Sequence, residues 1–145
     1  MAIEAAYWDT SALVPLCVLQ DATPAARREH RRYSAKIVWW GTQVEIRSAL
    51  ARLVRDGEID RAGRETAVKK WMELFQRTRE VPPTKHVLDV ASDLPDQFGV
   101  RALDAFQLAA ALVWCKERPR NRPFVSADTR LSEAASNAGF DVTTL

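Results

Sequence analysis

The sequence predicts an α/β fold in which helices cover both faces of a parallel sheet. Short runs rich in Val, Ile, Trp and Phe alternate along the chain with longer segments that have helical periodicity. Most of these runs are apolar without a strict two-residue alternation, which is typical of strands buried on both faces. Strands that alternate with helices favour parallel pairing through helical crossovers.

Five segments are expected to be strands, because each is short, apolar and bounded by turn or cap residues. They are residues 3–8, 36–40, 80–82, 123–126 and 140–143. Trp39 and Trp40 are adjacent in the second segment and therefore face opposite sides of the sheet. Both are expected to lie in the core.

The intervening segments are expected to be helices. One contains an apolar stripe at i, i+3, i+4 and i+7, which consists of Ile46, Ala49, Leu50 and Leu53. Two more are expected over residues 61–78 and 84–94, and a loop with Pro95 and Gly99 follows the second.

The last two helices differ in character. The stretch after Asp104 is apolar nearly all round as far as Lys116, so this helix is expected to be central. The final helix is expected to end at Gly139, because glycine is common just after a helix terminus.

Length and composition indicate one compact domain over residues 1–145. The net charge of +2 permits a nucleic-acid partner without demonstrating one. Cys17 and Cys115 lie far apart in apolar stretches, which favours buried free thiols in a reducing cytoplasm over a disulfide framework or a zinc site. No signal peptide is recognisable. No apolar stretch approaches the roughly 20 residues of a membrane span, so no membrane association is expected.

Four acidic residues lie where an apolar run gives way to a helical pattern. Asp9 follows the first such run and Asp128 follows the fourth, while Glu45 lies in the first turn of its helix and Asp104 begins the alanine-rich helix. In a parallel sheet the strand carboxyl ends and the helix amino ends share one edge, where such folds place their sites. The four carboxylates are therefore expected to lie close together.

Each acid also has a purely structural explanation. Asp9, Asp104 and Asp128 could be helix N-caps, and residues 42–45 spell a capping box with Glu45 at its third position. As a set, however, clustered carboxylates repel one another unless a cation joins them, and a hard divalent ion suits oxygen ligands. The set therefore predicts a Mg²⁺ site, with Mn²⁺ as the alternative.

At these residues the chain resembles PIN-domain ribonucleases, specifically the VapC-type toxins of VapBC toxin–antitoxin pairs. The resemblance runs from end to end, and the segment around Asp104 is the most specific. The matching segments are YWDTSAL at 7–13, TQVEIRSAL at 42–50, VRALDAFQLA at 100–109, VSADTRL at 125–131 and AASNAG at 134–139.

The resemblance implies a three-layer α/β/α sandwich with a metal-dependent endoribonuclease site. It implies that the acidic quartet, Asp9, Glu45, Asp104 and Asp128, holds Mg²⁺ or Mn²⁺, and that the hydroxyls of Thr10 or Ser11, and of Ser126, orient water. It also implies a small antitoxin that covers the active-site groove, and a homodimer or a toxin–antitoxin hetero-oligomer. One departure is Gln107, where many relatives carry a histidine.

Several arginines leave two alternatives open. Arg47, Arg101 and Arg130 lie near three of the acids in sequence and could steer a scissile phosphate or form structural salt bridges with those acids. The basic cluster at residues 27–32 could contact RNA or an acidic antitoxin segment, or could simply be a solvated helix face.

The sequence therefore predicts a Mg²⁺-dependent endoribonuclease that cleaves single-stranded or loop regions of cellular RNA. A phosphatase with Asp9 as nucleophile is disfavoured, because Ser11 stands where that chemistry usually has a second acid. A non-catalytic binding module is the alternative of another class. Four idle clustered carboxylates count against it, since their repulsion would destabilise the domain.

Overall fold

The computed structural model describes residues 4–145, which form five strands and seven helices. The strands are β1 (Ala5–Trp8), β2 (Ala35–Trp39), β3 (Thr78–Val81), β4 (Pro123–Ser126) and β5 (Asp141–Thr144). The helices are α1 (Thr10–Cys17), α2 (Thr23–Arg32), α3 (Thr42–Arg55), α4 (Arg61–Phe75), α5 (Lys85–Phe98), α6 (Ala102–Trp114) and α7 (Thr129–Ala138).

The strands form a single parallel sheet in the order β3-β2-β1-β4-β5. From β1 the chain builds outward to β3 on one side, and it then crosses over to build β4 and β5 on the other. The point where the strand order reverses lies between β1 and β4, which pair through Tyr7 with Phe124 and Trp8 with Val125. Open α/β sheets place their ligands at such a point, beyond the carboxyl ends of the strands.

Successive residues of β1 point to opposite faces of the sheet and belong to two separate hydrophobic cores. Tyr7 packs among residues of α5, α6 and α7, whereas Ala6 and Trp8 pack among residues of α1, α3 and α4. Both faces of the sheet are therefore covered by helices. This arrangement confirms the predicted three-layer α/β/α sandwich, and the sheet is parallel throughout.

The strand predictions were correct in number and close in position. The predicted bounds of β4 are confirmed, and those of β2, β3 and β5 differ by one or two residues. Ile3, the predicted start of β1, lies outside the described residues.

The prediction that Trp39 and Trp40 both lie in the core is wrong for Trp40. Trp39 is buried, but Trp40 is 53% exposed. Strand β2 ends at Trp39, and α3 begins three residues later. Trp40 therefore stands beyond the last residue that the helical layers cover, although its N–H still bonds to the carbonyl oxygen of Val81 at 3.0 Å.

The helix boundaries show where packing overrides local signals. Helix α5 does not end before Pro95 but continues to Phe98, because its apolar side remains packed on the core as far as that residue. Gly99 then caps it with φ 67°, a left-handed conformation that glycine adopts without strain. Helix α4 ends at Phe75, three residues earlier than expected, because Thr78 already belongs to β3. Helix α7 ends before Gly139, which confirms that prediction.

Cys17 and Cys115 are buried free thiols, as the sequence predicts. Within residues 4–145, no helix has both the length and the apolar character that a bilayer crossing requires.

Candidate active site

The four predicted acids line one cleft at the carboxyl edge of the sheet, with a volume of about 1060 Å³. Asp9 directly follows β1 and Asp128 lies two residues after β4, so they flank the point where the strand order reverses. Glu45 comes from the first turn of α3, and Asp104 is the third residue of α6. The topology thus brings together residues that are up to 119 positions apart.

Asp9 is the most enclosed of the four, with 4% of its surface exposed. The Ser11 hydroxyl donates to its carboxylate, at 2.8 Å from Oδ1 and 3.0 Å from Oδ2. That hydroxyl also accepts the N–H of Ala127 at 2.8 Å, which ties the first turn of α1 to the loop after β4. Burial raises the pKa of Asp9 from 3.8 to about 7. Hydrogen bonds from Ser11 and Ser126 oppose the rise, and the Asp128 carboxylate adds to it.

Asp128 is both a helix cap and a residue of the cleft. Its Oδ1 accepts the N–H of Leu131 at 3.1 Å, and its own N–H donates to the Ser126 hydroxyl at 3.0 Å. The N-cap alternative is therefore correct for Asp128. Asp9 occupies the N-cap position of α1 without a capping bond from its side chain. For Asp104 that alternative is wrong, because Arg101 is the N-cap of α6.

The capping box at residues 42–45 does not form. Helix α3 has Gly41 as its N-cap, so Thr42 is already the first helical residue, and its side chain is buried. Glu45 is thus free of any capping role. Its Oε2 instead accepts a hydrogen bond from Nε2 of Gln107 at 2.9 Å.

Gln107 joins α6 to three other elements, β1, α1 and α3, through buried hydrogen bonds beside the cleft. It is buried on α6, and its Nε2 also lies 3.1 Å from the Thr10 hydroxyl and 3.3 Å from the Thr42 hydroxyl. Because a carboxylate only accepts, the amide nitrogen must face Glu45, and Oε1 is left to accept from the Tyr7 hydroxyl. Burial and the charges of Asp9 and Glu45 raise the pKa of Tyr7, which keeps its donor proton in place. The amide thereby fixes the orientation of Glu45.

Three of the four carboxylates have a raised pKa for the same reasons. Burial is the largest cause for Asp9, Glu45 and Asp104, and a neighbouring carboxylate adds to each shift. That neighbour is Asp128 for both aspartates and Asp104 for Glu45. The cleft thus gathers negative charge that the protein compensates only in part.

The predicted arginines are distributed unevenly. Arg101 and Arg130 line a smaller pocket of about 210 Å³ beside Asp104, and their charges lower its pKa against the effects of burial and Asp128. Neither forms an ion pair with Asp104 within 4.0 Å in the described part of the chain. Arg47 is exposed on α3 and does not line the cleft.

The donor set fits a hard divalent cation in its chemistry, because four carboxylates and nearby hydroxyls supply oxygen ligands and no thiol or imidazole intervenes. The raised pKa values indicate that a positive charge would be favourable there. Nevertheless, among residues 4–145 no three acidic, His or Cys side chains are close enough together to form a complete metal site. The carboxylates surround the cleft without converging on one point.

Several cleft residues were not singled out as site residues from the sequence. Ser48, Arg52 and Arg55 continue from Glu45 along one face of α3, and this spacing of i, i+3, i+7 and i+10 was available as a signal. A second group of cleft residues consists of exposed apolar side chains. These could be recognised only in the structure, because the sequence does not show which apolar residues are exposed. Trp40, Val44, Leu88 and Leu103 are exposed and line the same cleft.

The basic cluster at residues 27–32 does not reach this cleft. It lies on α2, whose end leads through Tyr33 into the start of β2. That end of the sheet is opposite to the edge where the acids lie.

Comparison with known protein families matches residues 6–137 to the PIN domain. This chain belongs to the PIN domain family. PIN domains are generally nucleases that act on RNA or DNA, and they usually use divalent metals. The family match confirms the PIN part of the resemblance seen in the sequence.

One solved structure with the PIN-like fold is the crystal structure of PAE2754 from Pyrobaculum aerophilum. It superposes with a TM-score of 0.58 at 24% sequence identity, and the match covers 92% of this chain and 81% of that chain. At this identity the likeness concerns the fold alone. No curated protein sequence matches this chain.

Proposed function

We propose that this chain is a metal-dependent endoribonuclease and that residues 1–145 form a single nuclease domain. The observation that carries the proposal is the cleft that collects Asp9, Glu45, Asp104 and Asp128 at the point of strand reversal. The raised pKa values of Asp9, Glu45 and Asp104 support the proposal, because a cation beside these carboxylates would favour their charged form. Carboxylates placed in this way suit a nuclease that holds Mg²⁺ or Mn²⁺ against an RNA phosphate.

In this proposal the four carboxylates are the metal-binding and catalytic residues. A bound divalent ion would supply positive charge that activates water and stabilises the charge developing at phosphorus. Ser11 and Ser126 hold the loops that carry Asp9 and Asp128, and the Thr10 hydroxyl lies beside Gln107. In this proposal these hydroxyls orient water around the carboxylates. Arg101 and Arg130 beside Asp104 are proposed phosphate contacts, and Arg47 stays a prediction from sequence.

The finer proposal is the toxin role in a type II toxin–antitoxin pair, acting on cellular RNA in the cytoplasm. Val44, Leu88 and Leu103 support it, because they leave apolar surface exposed at the mouth of the cleft. A small antitoxin could cover this surface and block the carboxylates at the same time. A homodimer or a toxin–antitoxin hetero-oligomer is part of the same proposal.

A phosphatase with Asp9 as nucleophile remains disfavoured. Both oxygens of Asp9 are engaged by the Ser11 hydroxyl, and only 4% of the residue is exposed. A carboxylate enclosed and hydrogen-bonded in this way has little access to a phosphate for direct attack. The remaining alternative is a PIN-fold binding module without catalysis.

The test is cleavage of a total-RNA pool by the purified chain, with Mg²⁺ or Mn²⁺ compared with EDTA. Asp104→Asn removes one carboxylate charge at nearly constant volume, and it is expected to abolish cleavage. Asp96→Asn is the matched control, because Asp96 is exposed on α5 and lies outside the cleft. Discrete fragments that need the metal and Asp104, but not Asp96, would support the nuclease. Intact RNA with a folded sample of the unaltered chain would favour the binding module.

A further inference from the structure

The cleft beside the acids has a composition that catalysis by carboxylates does not explain. One wall carries exposed Trp40, and the far end carries Arg52 and Arg55. The volume of about 1060 Å³ is at the upper limit of the roughly 300–1,000 Å³ of most small-ligand pockets. The cleft therefore has room beyond the carboxylates for a further part of a polymer.

Trp40 is held so that its indole remains available. It contacts Trp39 edge-on, with ring centroids 6.2 Å apart and planes at 69°. Trp39 is itself stacked on Phe106 at 5.5 Å and 6°. Gly41 helps to fix this arrangement, because a Cβ there would lie 2.6 Å from the Trp39 indole nitrogen. The stacked pair of buried Trp39 and partly buried Phe106 thus supports a third aromatic ring that is half exposed.

The two arginines lie at the other end of the same wall. Glu45, Arg52 and Arg55 share one face of α3, and the ten residues from Glu45 to Arg55 correspond to roughly 15 Å along the helix axis. Both guanidinium groups are exposed, and in the described residues neither makes an ion pair within 4.0 Å. They are available for phosphates that flank one placed at the carboxylates.

We infer that Trp40 forms a stacking subsite for an unpaired RNA base, with Arg52 and Arg55 binding the adjoining backbone. The inference rests on the proposed nuclease function and names residues beyond the carboxylates that would hold its RNA. In a duplex both faces of each base are covered by neighbouring bases, so only an unpaired base can lie on the indole. The separation of aromatic and cationic groups within one cleft favours nucleic acid over an apolar protein segment, which has no need of two free guanidinium groups.

The experiment measures the Kd of a fluorescently labelled single-stranded RNA oligonucleotide by anisotropy in EDTA, so that no cleavage occurs. Trp40→Ala is expected to raise Kd about 5- to 150-fold, the range typical of one base stacked on an aromatic ring. Trp40→Phe keeps an aromatic face and is expected to recover most of the affinity. The same oligonucleotide in a duplex is expected to bind the unaltered chain and Trp40→Ala equally. Met72→Ala is the control, because Met72 is about as exposed as Trp40 and lies outside the cleft.

A further variant separates stacking from general apolar contact. Leu88 is 51% exposed and lines the same cleft but has no aromatic face. If Leu88→Ala weakens RNA binding as much as Trp40→Ala, or if Trp40→Phe is as weak as Trp40→Ala, the stacking subsite is overturned. If Trp40→Ala leaves Kd unchanged, the subsite is overturned as well. The exposed apolar residues of the cleft would then be interpreted as a contact surface for a protein partner.

The outcome is distinguishable from failure of the nuclease proposal. Metal-dependent cleavage together with an unchanged Kd for Trp40→Ala would overturn the subsite and retain the nuclease. Binding that depends on Trp40, without cleavage under any metal, would retain the subsite and overturn the nuclease.

Discussion

Two buried carboxylates of this chain have opposite surroundings. Glu29 on α2 is 5% exposed and Asp9 is 4% exposed, so the two are equally removed from water. Glu29 lies 4.0 Å from the guanidinium of Arg28 and 3.8 Å from that of Arg32. Asp9 instead lies near the Asp128 carboxylate, accepts hydrogen bonds from Ser11 and Ser126, and makes no ion pair within 4.0 Å among the described residues.

The comparison shows that this chain places arginines near one buried acid, although Oε2 of Glu29 accepts no hydrogen bond, but places none within ion-pair distance of Asp9. Burial of an uncompensated charge is unfavourable, so the cleft retains an electrostatic cost that the two arginines reduce at Glu29. A cation from solution would remove that cost. The difference is therefore the physical basis for proposing a divalent metal in the cleft.

The largest expected effect concerns RNA cleavage. Replacing any one of the cleft acids by its amide, as in Asp128→Asn or Glu45→Gln, is expected to lower the cleavage rate at least about 100-fold, because metal charge contributes several kcal/mol to the transition state. Glu29→Gln is expected to cleave at the unaltered rate. The measurement is the initial rate on one RNA oligonucleotide at saturating Mn²⁺. Equal losses of cleavage rate for Glu29→Gln and Glu45→Gln would contradict a specific role of the cleft acids in cleavage.

The next effect concerns the amide that orients Glu45. Gln107→Leu removes the partner of the Tyr7 hydroxyl and of the Glu45 carboxylate, and it is expected to lower the free energy of unfolding by about 2–3 kcal/mol. Gln97→Leu, at an exposed position on α5, is the control and is expected to change it by less than about 0.5 kcal/mol. Urea denaturation of both variants measures the difference. A cost for Gln107→Leu no greater than that of the control would show that the amide network contributes nothing.

The pH dependence of the free energy of unfolding tests the difference between Asp9 and Glu29 at Asp9 itself. Its pKa in the folded protein, about 7, lies above the ordinary value of 3.8, so between these values the folded state holds a proton that the unfolded state has released. In EDTA the contribution of Asp9 to stability is therefore full below pH 3.8 and is lost as the pH rises through about 7. Asp9→Asn is expected to raise the free energy of unfolding at pH 8 by about 1–3 kcal/mol.

Urea denaturation at pH 5 and at pH 8 checks this expectation. The gain from Asp9→Asn should be much smaller at pH 5, where the unaltered Asp9 is mostly protonated. A gain that is the same at both pH values would mean that the charge of Asp9 is not its cause.

The smallest effect belongs to Glu29. Its arginine partners are largely exposed, and exposed partners contribute little, so Glu29→Gln is expected to lower the free energy of unfolding by at most about 1 kcal/mol. High salt should shrink the difference further. A gain in stability from Glu29→Gln would show that the arginines do not offset the cost of burying Glu29. The contrast between Glu29 and Asp9 would then be contradicted.

The sequence predicted the fold well, because strand burial and helical periodicity are local patterns. It also identified the four acids that share the cleft, since each lies at a strand-to-helix boundary and the topology brings such boundaries together. It misjudged Trp40, because whether a residue at the end of a strand is covered depends on where the neighbouring helices stop. It noted Gln107 only as a departure from relatives. The contacts of Gln107 join α6 to Tyr7, Thr10, Thr42 and Glu45, and such long-range partners leave no signal in a local pattern.

The most direct test of the central claim is the effect of Mn²⁺ on thermal stability, measured for the unaltered chain, Asp9→Asn and Glu29→Gln. If the cleft acids take up the cation, Mn²⁺ at about 100 times its Kd should stabilise the unaltered chain and Glu29→Gln equally, by about 2.7 kcal/mol or several degrees in Tm. Asp9→Asn should show little change at the same Mn²⁺ concentration. An equal shift in all three proteins, or none in the unaltered chain, would contradict the assignment of the cleft to a divalent metal.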